Sequence, residues 1–229
     1  MKEGYLPKEQ RKKILFLCDD IRMHSGVATM AREIVIGTCH KYNWVNVGAA
    51  INHPEVGKKL DLSEDTGNRA GVKDASVFLF PQNGYGDSTI LRKFLELEKP
   101  DAVFIFTDPR YWEWLFQIEN EIRAKCPLVY LNIWDDLPAP MYNKTFYESV
   151  DTLLGISKQT VNINKMVLES EIRIEPIVGE IYHLYENKEG KNQLSILEPE
   201  DWEKSDNDWQ MKHISSVRLT SEGIWEEAV

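Results

Sequence analysis

The chain has only three cysteines, no long apolar run and no excess of positive charge, and each shortage removes a class of function. Cys18, Cys39 and Cys126 lie far apart with no close cysteine or histidine partner, a spacing that predicts neither a disulfide framework nor a zinc site. No metal is expected. No segment approaches the ~20 apolar residues of a membrane span, and residues 1–13 are charged rather than a hydrophobic signal, so a soluble cytoplasmic protein is expected. Lys and Arg number 27 against 37 Asp and Glu, giving a net charge of −10, so the chain lacks the positive field that nucleic-acid binding needs. The dinucleotide fingerprint is missing too. The first candidate loop holds Gly26 without the two further spaced glycines, and no acidic residue closes a second strand ~20 residues later.

What is present begins at Lys13. Ile14 to Cys18 is an apolar run of strand length, as in a parallel sheet covered on both faces, while Val27, Met30, Ala31, Ile34 and Val35 recur at helical spacing. Between them lie Asp19, Asp20, Arg22, His24, Ser25 and Gly26. Ser25 reads as the N-cap, and Gly26 allows an anionic ligand to approach the amide groups and positive dipole end of the helix that follows. A plain tight turn at Gly26 is an equally good reading of the sequence alone.

Further strands are expected at Trp44 to Ala50, Ala75 to Phe80, Ala102 to Phe106, Leu128 to Ile133 and Thr152 to Ile156, with Ile172 to Val178 as a short closing strand. Helices are expected between them: one capped by Asp87, with Ile90, Leu91, Phe94, Leu95 and Leu97 largely on one side; one over Tyr111 to Lys125; and one over Lys158 to Leu168. Ile51 to Lys73 reads as an irregular, mobile polar connection. This alternation predicts an α/β fold, a Rossmann-like open parallel sheet with helices on both faces. Three regions follow: an N-terminal extension over 1–12, the Rossmann-like domain over 13–185, and an irregular acidic tail over 186–229. In the tail acidic residues outnumber basic ones, and Trp202, Trp209 and Trp225 suit a strap that docks on the core or joins two copies into a homo-oligomer.

Ligands of open α/β sheets bind outside the carboxyl ends of the strands. Collecting the residues there gives Asp19, Asp20, Arg22, His24, Ser25 and Gly26; Gln82, Asn83, Gly84 and Tyr85; Thr107, Asp108, Arg110, Tyr111 and Trp112; Trp134, Asp135 and Asp136; and Ser157 and Lys158. Such a mixture of amides, carboxylates, arginines and aromatics suits a sugar, although each residue singly is also ordinary turn chemistry. Asp135 and Asp136 are adjacent on extended backbone and point to opposite sides, so they do not share a proton.

Ser25-Gly26-Val27 followed by Met30-Ala31-Arg32-Glu33-Ile34, with Leu131 to Pro140 and Gly155 to Thr160 further on, resembles the amino-terminal domain of retaining family 4 glycosyltransferases of the two-Rossmann-domain type. The resemblance covers about Lys12 to Val178. It implies an acceptor-side domain for transfer from a nucleotide-sugar donor, with no cofactor and no metal. Ser25, Gly26, Asn83, Asp108, Arg110, Trp134 and Asp135 would line the substrate cleft, and His24 and Asp135 are the candidates for catalysis. Many members place a histidine where Trp134 stands here. Glu113 and Glu121 reproduce the spacing of the family's donor-side motif, but inside an expected helix of the first domain. The roughly 50 residues after Val178 fall short of a donor domain, so the chain is expected to be incomplete for catalysis alone. Two other classes stay open: a non-catalytic binding or oligomerisation module, and a flavodoxin-like or other nucleotide-binding enzyme.

Overall fold

The apolar run after Arg11 forms β1 (Lys12–Asp19), whose last five residues are all buried. β2 (Tyr42–Ala49) pairs with it in parallel, Lys12 opposite Tyr42 and Asp19 opposite Ala49. A computed structural model describes residues 3–49, 52–137, 139–169, 171–172, 177–200, 211–220 and 225–228, which divide into two units, Met1–Ile133 with Ser149–Leu154, and Trp134–Glu148 with Gly155–Val229.

The first unit is built on a seven-stranded sheet. Beside β1 and β2 it contains β3 (Leu60–Asp61), β4 (Val77–Pro81), β5 (Ala102–Phe106), β6 (Leu128–Asn132) and β7 (Thr152–Gly155), in the order β3-β4-β2-β1-β5-β6-β7. The pairs β2 with β4, β1 with β5, and β5 with β6 are parallel, and short β3 lies antiparallel to β4. The order of the parallel strands reverses between β1 and β5. Alternation along each strand sends side chains to two faces. On one face Phe16, Trp44, Val77 and Phe106 pack with Ala31 and Val35 of α1 (Gly26–Thr38) and Ala70 of α2 (Ser63–Ala70). On the other, Phe80 meets Phe94 of α3 (Ser88–Glu98), and Tyr130 meets Phe116 of α4 (Glu113–Phe116).

Several expectations need correction. The connection over 51–73 contains β3 and α2 rather than only irregular chain. α2 has the polar sequence Ser-Glu-Asp-Thr-Gly-Asn-Arg-Ala, and its buried residues are small, Thr66, Gly67 and Ala70, so no apolar stripe announces it. What holds it is close fit. A Cβ on Gly67 would come within 2.4 Å of the Val72 carbonyl oxygen, Glu64 and Asp65 face the positive end of the helix, and left-handed Gly71 ends it. The helix expected over Tyr111 to Lys125 is split into a 3-10 turn (Pro109–Trp112), α4 and α5 (Glu119–Arg123). Its aromatic run, Tyr111, Trp112, Trp114 and Phe116, is a poor helix former. Residues 5–11 are also more than an extension: the fully buried side chain of Arg11 pairs with Asp74 at 2.6 Å, and the Tyr5 hydroxyl donates to the same carboxylate.

The second unit contains α6 (Lys144–Glu148), α7 (Lys158–Glu169) and a five-stranded sheet of β8 (Glu171–Ile172), β9 (Ile181–Glu186), β10 (Asn192–Ser195), β11 (Lys212–Leu219) and β12 (Trp225–Glu227), ordered β12-β11-β9-β10-β8. The described part of the segment expected to be an irregular acidic tail therefore contains β10, β11 and β12, with β9 lying between β10 and β11 and antiparallel to both. Its charges mask the pattern by lying on exposed positions, while Leu184, Tyr185, Leu194 and Val217 are buried. Trp225 packs edge-on against Tyr182 of β9; Trp202 and Trp209 lie outside the described residues. Of the closing strand expected over 172–178, Ile172 belongs to β8 and pairs with β10 in this second sheet, Ile177 and Val178 are not strand, and 173–176 lie outside the described residues.

Candidate functional site

The parallel register of the first unit brings the ends of β1, β2 and β4 to one level, and the chain there is packed too closely for a side chain at Gly48. A Cβ at that position would lie 2.8 Å from the Asp20 Cα and 2.7 Å from Leu79. Buried Asn46, a polar residue inside an apolar strand, fastens the turn after β1. Its amide donates to the Phe16 carbonyl at 3.1 Å, and its oxygen accepts from the Ile21 amide at 3.2 Å.

Two buried aspartates stand at the end of β1, Asp19 as its last residue and Asp20 just after it. Asp19 accepts from the Ser25 hydroxyl at 2.6 Å and from the Tyr85 hydroxyl at 3.3 Å. The Ser25 oxygen in turn accepts from the Ala28 amide at 2.9 Å, so Ser25 is the N-cap that the sequence predicts and is held by Asp19 at the same time. Burial, and then the Asp19 carboxylate, push the Tyr85 phenol well above its ordinary value, so it stays a donor. Asp20, only 1% exposed, binds the Arg22 guanidinium at 2.7 Å; that guanidinium also reaches Glu55 at 3.0 Å and His53 at 2.9 Å. The His53 amide donates to the Asn83 side-chain oxygen at 2.9 Å, tying the loops after β2 and β4 together.

Tyr85 joins this polar group to an aromatic one. Its ring lies flat against Tyr111, centroids 4.5 Å apart and 8° from parallel, and edge-on to buried Trp112 at 5.1 Å. Tyr111 itself is 54% exposed. Beside it Arg110 grips Asp108 through Nε at 3.0 Å and Nη2 at 2.6 Å, and Asp108 also caps the turn by accepting the Arg110 amide. The residue before them, Thr107, has φ +130°, which a β-branched residue rarely adopts; the Tyr130 hydroxyl holds its carbonyl at 3.0 Å. Strain therefore sits where β5 delivers the loop.

Of the residues singled out from sequence, Ser25, Gly26, Asn83, Asp108, Arg110 and His24 all belong to the first unit, on loops that leave the carboxyl ends of β1, β4 and β5. His24 and Gly26 are exposed, and a Cβ on Gly26 would meet nothing within 4 Å, so close packing does not require that glycine. Trp134 and Asp135 belong to the second unit. There the Trp134 indole donates to the Asp136 carbonyl at 2.8 Å and packs on Tyr142, and the Asp135 carbonyl accepts from the Gln159 side chain. Asn46, His53 and Glu55 were missed, as was the dependence of Ser25 on Asp19. Asn46 left a signal, being the one polar residue in Trp44-Val45-Asn46-Val47; His53 and Glu55 act through partners 31 and 33 positions away and left none.

A family model described as "Protein of unknown function (DUF2452)" matches residues 153–228, from β7 through α7 to β12. No curated protein and no solved structure matches the chain.

Proposed function

We propose that the first unit is the acceptor-side domain of a nucleotide-sugar-dependent sugar transferase, a Rossmann-like sheet that holds a saccharide at the loops after β1, β4 and β5. The strand order supports this reading, because its reversal between β1 and β5 opens the crevice in which such sheets take ligands. One observation carries it: the Tyr85 hub, whose hydroxyl is fixed by Asp19 while its ring backs the exposed ring of Tyr111. The apolar face of a pyranose packs on such a ring, and the loops after β5, β4 and β1 offer its hydroxyls Asp108, the Asn83 amide and the amides opening α1. Asp19 is a positioning residue in this scheme. Transfer also needs the donor held in the same dry cleft, so the donor-binding wall comes from another domain or chain.

Saturation-transfer NMR with a panel of methyl glycosides, UDP-sugars and GDP-sugars tests the reading. Saccharide binding weakened about ten-fold by Tyr111→Ala, a loss of about 1.4 kcal/mol, is expected. Absence of any binding at millimolar ligand would remove the proposal, and tight binding of FMN or NAD would replace it with a nucleotide-binding enzyme. Turnover by the isolated monomeric chain would mean that these residues hold the donor as well as the acceptor.

A further inference from the structure

In the second unit β9 and β11 run antiparallel, with His213 opposite Tyr185 but Ser215 opposite Leu184 and Ser216 opposite His183. The register slips by one residue between His213 and Ser215. In an unbroken ladder Ser215 would face His183; the bulge puts Ser216 there instead and sets it on the same sheet face as His213. Ser215 turns to the other face, buried beside Leu184, its hydroxyl without a partner among the described residues.

The result is a point on which two imidazoles converge. His183 Nδ1 lies 2.8 Å from the Ser216 oxygen and His213 Nε2 lies 3.1 Å from the same atom, with the rings 5.7 Å apart. His213 is exposed and Ser216 half-buried, so the point is open to solvent from one side, whereas His183 is only 8% exposed. The groups acting on His183 come from three segments: His213 across the sheet, Tyr185 on its own strand, and the carboxylates of Glu198 and Glu200 after β10. Those carboxylates favour a positive charge at the site.

We propose that His183 and His213 form a binding site for a divalent transition-metal ion of the zinc class, ligated through Nδ1 and Nε2, with the Ser216 hydroxyl and water filling the remaining positions. Imidazole nitrogens are good ligands for such ions, and here two of them converge on one hydroxyl oxygen from neighbouring strands. Among the described residues no group of three His, Cys, Asp or Glu side chains meets there, so the site is open and exchangeable, not a closed structural cage. It lies within the stretch matched by the family of unknown function and is independent of the saccharide reading of the first unit.

Titration of the metal-stripped full chain with Zn2+ by calorimetry, and with Co2+ by its visible absorption, tests the site. One ion per chain is expected, with affinity at least about ten-fold weaker in His213→Gln and in His183→Gln. His24→Gln serves as the control and should bind as the parent does. Because His183 is buried, its variant can fail to fold; His213 is exposed, so His213→Gln alone decides. Absence of binding by the parent chain, or undiminished binding by His213→Gln showing an adventitious ion only, would overturn the proposal.

Discussion

The two sheets place their chemistry in opposite ways. In the first unit the strands are close to continuous apolar runs, as in Ile14 to Cys18 and Ala102 to Phe106, and the polar groups are released where the strands stop: Asp19 at the last position of β1, Asn83 two residues after β4, Asp108 two after β5. In the second unit the polar groups sit inside the strands, His183 in β9 and His213 with Ser216 in β11, on one face of an alternating ladder. A parallel sheet buried on both faces leaves only its ends for a ligand, whereas an antiparallel sheet can offer a face. The first arrangement is local in sequence. The second depends on register, and here on a one-residue bulge.

The largest expected effect tests how far the first unit depends on the segment before its sheet. Arg11 is fully buried and donates to the Asp74 carboxylate at 2.6 Å, the Asp74 carbonyl at 2.8 Å and the Leu6 carbonyl at 2.7 Å. Arg11→Ala removes all three bonds and leaves the Asp74 carboxylate only the Tyr5 hydroxyl and the Lys8 amide. Breaking a buried pair costs about 3–5 kcal/mol, and because a third of the Asp74 side chain is exposed the expected loss is about 2–4 kcal/mol in urea denaturation. The pair Arg218 with Glu226 in the second sheet is of similar length, 2.7 Å, but half-exposed on both sides, and Arg218→Ala should cost less than about 1 kcal/mol. Equal losses from the two would mean that burial of the first pair contributes nothing, and that residues 5–11 are an appendage after all.

Legibility in the sequence followed the same divide. The five principal strands of the first unit lie within two residues of where apolar runs place them, and Ser25 and Asp87 cap α1 and α3 as their residue types suggest. Hydrophobic runs and capping residues act over a few positions, so one sequence displays them. α2 escaped because its buried face is made of Thr66, Gly67 and Ala70, and the C-terminal sheet escaped because β10 is four mostly polar residues, Asn-Gln-Leu-Ser, and β11 mixes Lys212, His213, two serines and Arg218 with its few apolar positions. The candidate site was legible as a list of residues after strands, but not as a network: the bonds of Asp19 to Tyr85 and of Arg22 to Glu55 span 66 and 33 positions. Trp134 and Asp135 entered the list on the same rule, and the structure assigns them to the other unit.

A smaller effect separates the units by pH. In the first, burial and Asp19 raise the Tyr85 phenol, so the folded state keeps a proton that the unfolded chain gives up. That contribution to stability is complete below about pH 10 and is lost as the pH rises further. In the second, burial and then His213 lower His183, so the unfolded chain takes up a proton that the folded state refuses, and stability falls as the pH drops below about 6.5. Carboxylates of the first unit such as Asp101, held low chiefly by Lys12, add their own loss only below about pH 4. Denaturation midpoints followed from pH 4.5 to 11 should therefore decline at both ends. Tyr85→Phe should flatten the alkaline limb alone and His183→Gln the acidic limb alone; a change in the wrong limb would break the assignment.

The smallest effect examines the helical reading of α3. Ile90, Phe94 and Leu97 share the spacing of an apolar stripe, yet the buried residues are Leu91, Phe94 and Leu95, and Leu97 is 79% exposed. At about 100° per residue Leu97 lies about 240° round the helix from Leu91, beyond the edge of the buried face. Glu98, one step further, returns toward the sheet, where its carboxylate meets Lys13 at 3.2 Å and Lys59 at 3.1 Å. Leu97→Gln should thus change stability by less than about 0.5 kcal/mol. Glu98→Gln should cost more, since it leaves two lysines without their shared anion, although Glu98 is the residue that a hydrophobic pattern ignores. Reversal of that ranking in denaturant titrations would mean that α3 turns Leu97 rather than Leu91 toward the core.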